Sequence, residues 1–156
     1  MNGGMNDPGV LAAPTSGRTS HPHPLRGLVG TGLIAALAAT VATTLAAALA
    51  QAVAVDFQIP DGGETIPLSG FAVVTGFFSF VGIVIAAALL RWSTHPAKRF
   101  VWTAVSLTAI SMVPPLLSGA DTATITALLA LHLVPATVMI PTLARSLRTR
   151  TAYLRR

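Results

Sequence analysis

GLVGTGLIAALAATVATTLAAALAQAVAV, Gly27–Val55, contains no Asp, Glu, Lys or Arg, and its reading decides whether the chain has three spans or four. A bilayer core of about 30 Å is crossed by roughly 20 apolar helical residues, so the stretch is long enough to span. It also has features of a signal peptide, with Arg18 and Arg26 ahead of it and Ala52-Val53-Ala54 behind it. Signal sequences carry an apolar region of about 7–15 residues, and this one is nearly twice that. Its length therefore predicts a retained first span.

Three further stretches share its character: Thr65–Leu90, Phe100–Ala120 and Thr122–Ala144 also lack charged residues. With 53% hydrophobic and only 10% charged residues, the chain lies far from the soluble norm of about 25% charged. A soluble domain of 156 residues could not hide four such segments in one core. The reading is an all-α membrane protein with four transmembrane helices in an up-down bundle. Its spans are predicted over about residues 28–54, 67–90, 100–118 and 122–144. Residues 1–26 read as a disordered cytoplasmic tail and 145–156 as a basic cytoplasmic tail, flanking a transmembrane domain over 27–144.

Charge orients the bundle. All ten Lys and Arg fall in the N-terminal tail, the second connection or the C-terminal tail, and four of the five acids fall in the first and third connections. Under the positive-inside rule, both termini are cytoplasmic in the cell membrane. A net charge of +5 would suggest nucleic acid in a soluble protein. Beside apolar spans it points to anionic lipid headgroups, with Arg91, Lys98, Arg99, Arg145, Arg148 and Arg150 as the candidate contacts. Trp92 and Trp102 bracket the second connection, as aromatic residues do at headgroup level. Leu143, Leu147, Thr151 and Leu154 fall at helical spacing, so the last helix can continue along the membrane surface.

The first connection has room for structure. Val53, Val55, Phe57 and Ile59 alternate with Ala54, Asp56 and Gln58; Pro60-Asp61-Gly62-Gly63 supplies turn residues, and Thr65-Ile66 can run back. The pattern predicts a short β-hairpin capping the outer mouth of the bundle. On the first span, Gly32, Ala36, Thr40, Thr43 and Ala47 put small residues on one face, as close helix packing in lipid requires.

Chemistry-bearing residues are few. No cysteine is present, which excludes disulfides and thiolate chemistry. His21 and His23 lack further ligands, Asp56, Asp61 and Glu64 lack calcium-loop spacing, and no metal or cofactor site is predicted. At membrane depth the candidate polar cluster is His132 with Ser111 and Thr108. Counted at 1.5 Å per residue from the turn at Ser118–Asp121, Ser111 lies about 12 Å down, and Thr108 and His132 near 16 Å. Pro114, Pro115 and Pro135 would free the carbonyls of Ile110, Ser111 and Leu131. A neutral histidine hydrogen-bonded toward Thr108 or Ser111 would lock the last two helices together. An intramembrane ionisable group also marks function in other proteins, so proton or small-solute handling is the competing reading. Haem would need a second intramembrane histidine, and serine hydrolysis lacks an acid and oxyanion donors.

Leu131-His132-Leu133-Val134-Pro135-Ala136-Thr137-Val138-Met139-Ile140-Pro141-Thr142-Leu143-Ala144-Arg145 resembles the ending of a family of small four-span bacterial membrane proteins, a domain of unknown function common in high-GC Gram-positive genomes. Val55-Asp56-Phe57 and Phe100-Val101-Trp102 look like the same family, and the resemblance covers roughly Leu28–Leu147. It implies the four-span fold and no activity. Three function classes follow: a structural or accessory membrane protein, packing with itself or a larger complex; a small transporter or channel subunit using the belt around His132; and a membrane redox protein. With no charged residue in any span, ion pathways and acid–base catalysis lack their usual groups, which favours the first class and a non-enzymatic role.

Overall fold

The computed structural model describes residues 24–55, 57 and 65–154. Five helices carry the fold: α1 (Pro24–Ala52), α2 (Leu68–Trp92), α3 (Pro96–Ser111), α4 (Val113–Leu117) and α5 (Thr122–Leu154). Four segments are long and apolar enough to cross a membrane: α1, α2, α3 with α4, and α5. The four long apolar helices expected from the sequence are therefore present.

Their directions follow from which residues meet. A Cβ on Gly32 would lie 2.7 Å from Ile83 Cγ1, while one on Gly76 would lie 3.8 Å from Thr40 Oγ1. The register of α1 thus falls as that of α2 rises, and the two are antiparallel. Leu28 of α1 shares a cluster with Leu147 of α5, and Ala47 shares another with Leu131, so α5 also runs against α1. The chain goes up and down, leaving the first and third connections at one end (the acidic end). The start of α1, the end of α5 and the second connection lie at the other (the basic end).

Two core clusters hold the bundle. Near the basic end, Leu28, Ala35, Ala39, Ile83, Ala86, Phe100, Met139, Leu143, Ala144 and Leu147 are buried together. Most are small, which lets backbones approach closely where lipid supplies no hydrophobic drive. The buried face of α1 follows Leu28, Gly32, Ala35, Ala39, Thr43 and Ala47. Gly32, Thr43 and Ala47 lie on it as expected, whereas Ala36 and Thr40 flank it, half-buried. The outward surface is apolar: Ile34 is 73% exposed, Leu49 69%, Phe78 65% and Leu117 79%. In water such a surface would drive aggregation; in hydrocarbon it costs nothing.

Three local departures have physical causes. The third span breaks at Met112 into α3 and α4, because Pro114 and Pro115 cannot donate to Ile110 and Ser111. Met112 N–H turns instead to Ala109 O at 3.3 Å. The last helix does not stop near Ala144 but continues to Leu154. Leu143 and Leu147 are fully buried there, so this face packs into the bundle rather than onto a lipid surface.

The first connection begins with a helix terminator, not a strand. Val55 N–H donates to Ala50 O at 3.0 Å and Ala54 N–H to Gln51 O at 3.1 Å, with Ala54 left-handed at φ 63°. This is the Schellman pattern, with alanine where glycine usually stands. Of the expected hairpin, the described residues show one backbone bond, Ile66 N–H to Phe57 O at 3.0 Å, and no strand. Asp56 and Gln58–Glu64 lie outside the described residues, as do 1–23 with His21 and His23, and 155–156. Phe57 itself is fully buried, edge-on to Phe71 at 4.9 Å, and packs with Ala47 and Leu131 across the acidic end.

Candidate functional site: an intramembrane polar belt and a basic groove

Hydroxyls inside apolar helices have a ready partner, the carbonyl one turn back. Thr31, Thr40, Thr44, Thr108, Thr126 and Thr142 all donate to the carbonyl four residues earlier. Ser111 donates to Thr108 O at 2.8 Å. The histidine follows the same rule, its Nδ1 lying 2.7 Å from Leu128 O, which requires that Nδ1 carry the proton. His132 and Thr108 are half-buried, and Ser111 is exposed. The expected bond from His132 to Thr108 or Ser111 is not formed: His132 Nδ1 and the two hydroxyls each donate to a carbonyl of their own helix. An intrahelical carbonyl is supplied by the fold at no cost in helix approach, whereas an interhelical partner must be brought into register.

Two hydroxyls depart from the pattern. Thr43 Oγ1 on α1 and Ser79 Oγ on α2 are buried and make no hydrogen bond among the described residues. Thr43 stood out in the sequence as part of the small-residue face of the first span, and Ser79 falls among the small residues of the second. Among the described residues no group of three or more His, Cys, Asp or Glu is placed to hold a metal.

At the acidic end, Asp121 caps α5. Its Oδ2 accepts from Ala123 N–H at 3.1 Å and Thr124 N–H at 3.4 Å. The hydroxyl of Thr124 and these two amides hold the carboxyl below the usual aspartate range. Gly119, left-handed at φ 69°, makes the turn that brings α4 to this cap.

At the basic end the helix extension creates something that no linear reading contains. The last turns of α5 run beside the first turns of α3, and between them lies an open groove of about 640 Å³. Its cations are Lys98 from α3 and Arg148 from α5; His95, Trp102 and Thr151 also line it. The four other basic residues singled out in the sequence do not line it. Arg91, Arg99 and Arg145 are exposed. Arg150 donates from Nε to Ser146 Oγ at 3.1 Å, and its guanidinium occupies the space that a side chain on Gly27 would need. The sequence signals for the groove were the helical spacing of Leu147, Thr151 and Leu154 beyond the span and the choice of Lys98 and Arg148 as headgroup contacts.

A family model described as a family of unknown function (DUF6069) matches residues 23–149, which include all four spans and the Lys98–Arg148 pair. The chain belongs to this family. The match covers most of the chain and agrees with the resemblance read from the Leu131–Arg145 segment. Membership of DUF6069 brings a fold expectation without an activity, and no curated protein and no solved structure matches the chain.

Proposed function

We propose that this protein is a structural or accessory component of the cell membrane, without catalytic activity, packing with copies of itself or within a larger complex. Both termini face the cytoplasm in this reading, and the basic end meets anionic lipid headgroups rather than nucleic acid. The observation that carries it is the state of the polar atoms in the spans. The hydroxyls of Thr31, Thr108 and Ser111 and the His132 Nδ1 are engaged with carbonyls of their own helices, and the stretches 27–55, 65–90, 100–120 and 122–144 hold no charged side chain. Such helices offer packing surface rather than a relay for protons or ions.

The test is purification in mild detergent followed by reconstitution. The protein should run as an assembly heavier than a single 16.0 kDa chain in its detergent belt. Vesicles containing it should hold a proton gradient as long as empty vesicles do. A gradient that collapses with the wild type and survives with His132→Leu would replace this reading with transport. A coloured preparation would replace it with a redox role. The orientation is tested separately, with single cysteines at Ser69 and Ser93. Only Ser69→Cys should label from outside intact cells, and external labelling of Ser93→Cys would reverse the topology.

A further inference from the structure

We infer that the groove between α3 and α5 is a binding site for the phosphate-bearing headgroup of an anionic membrane lipid. The inference rests on the four-span fold and not on the accessory role proposed above.

Charge comes first. Lys98 and Arg148 line the groove from two different helices, and no carboxylate among the described residues lines it. Asp121, the acid among the described residues, lies in the turn at the opposite end of the bundle. Two cations that line one groove repel each other, and an anion between them offsets that cost. Arginine supplies paired donors that match phosphate geometry, and lysine supplies a compact charge. The first turn of α3 adds backbone donors. Pro96 opens the helix, so the amides of Ala97 and Lys98 have no intrahelical acceptor, and no side chain caps them.

Position selects a lipid over a soluble anion. The groove lies where the second and third spans meet and includes Trp102, an aromatic of the kind that anchors a span at headgroup level. Trp102 lines it and is mostly exposed, and the apolar surface continues away from it along α3 through Val105 and Ile110. An amphiphile fits this arrangement: its phosphate sits between Lys98 and Arg148, and its chains run down the exposed face of α3. A free phosphate would leave the apolar part of the site unused.

The experiment uses full-length protein in nanodiscs of mixed phosphatidylglycerol and phosphatidylcholine, read by native mass spectrometry for retained lipid. Circular dichroism confirms that each variant is folded. The wild type should retain phosphatidylglycerol in preference to phosphatidylcholine. Lys98→Gln with Arg148→Gln should weaken retention by about twenty-five-fold, about five-fold for each cation removed near a membrane surface. Arg99→Gln with Arg145→Gln removes the same charge from the surface outside the groove and should weaken retention far less than the groove pair does. Equal losses from the two double variants would mean diffuse surface charge and overturn the site, as would no loss from the first. Inorganic phosphate at millimolar concentration should not displace the lipid; displacement would assign the groove to a soluble anion and overturn the lipid assignment.

Discussion

The two ends of this bundle are closed by opposite means. At the acidic end a side chain from the first connection, Phe57, is buried among Ala47, Leu131 and Phe71, and α5 begins at a capped turn. At the basic end the helices run past one another and, among the described residues, border a groove with two cations and no carboxylate. One end is closed by apolar packing, whereas the other is bordered by charge. Substitutions should therefore act on stability at the first and on ligand retention at the second.

The largest effect is expected from Phe57→Ala. Removing a fully buried aromatic leaves a cavity and should cost about 3 kcal/mol, seen as a lower melting temperature in detergent. A loss below about 1 kcal/mol would show that the acidic end is not sealed by this ring, and the contrast between the ends would collapse.

A pair of glycines sharpens the same contrast. A Cβ at Gly32 would meet Ile83 Cγ1 at 2.7 Å, and one at Gly27 would meet the Arg150 guanidinium at 2.6 Å. The distances are nearly equal, but the neighbours differ. Ile83 is buried in the core, so Gly32→Ala should destabilise by about 2 kcal/mol through overpacking. Arg150 is a long side chain that can swing aside, so Gly27→Ala should change the melting temperature little. Equal costs would mean that the Arg150 side chain is held as firmly as the buried Ile83.

Ala54→Gly should act in the other direction. It relieves a left-handed alanine at the end of α1, and after the entropy cost of glycine the net gain should be about 0.5 kcal/mol in chemical or thermal unfolding. A loss of stability would show that the Cβ makes contacts worth more than the strain.

The smallest effect concerns pH. The Asp121 carboxyl is held below its ordinary value, so its contribution is fully present above the unfolded aspartate range and disappears as pH falls through the lowered folded value. Asp121→Asn keeps an acceptor for the α5 amides but has no charge to lose. The stability difference between the two proteins should therefore vary only at acid pH. A difference that varied around neutrality would point to another group.

The spans were legible in the sequence because a run without charge long enough to cross a bilayer has few alternatives. What happens at their ends was not. Leu147 and Thr151 sit among arginines, so composition marks the stretch as a tail, while its helical spacing proves to be the stronger signal. Val53 fits a strand by alternation, yet the carbonyls at the end of α1 need donors, and that demand takes the next residues first. The packing face of α1 was found only in part because Ala and Thr surround the whole helix, giving no contrast to fix its phase. His132 was placed correctly on a span, but its partner was sought across the bundle when its own helix supplied one. The groove depends on two residues fifty positions apart, and nothing local joins Lys98 to Arg148.

The length of α5 has a mechanical consequence. At 1.5 Å per residue, Thr122–Leu154 extends for about 50 Å, against about 30 Å of hydrocarbon. Its first residue is pinned by the capped turn, so the excess of about 20 Å must emerge at the basic end or be taken up by tilt. Bilayer thickness then sets how far Arg148 stands from the plane of the lipid phosphates. A thicker membrane draws the groove toward that plane, and a thinner one pushes it out into water, making the helix a gauge of the membrane that holds it.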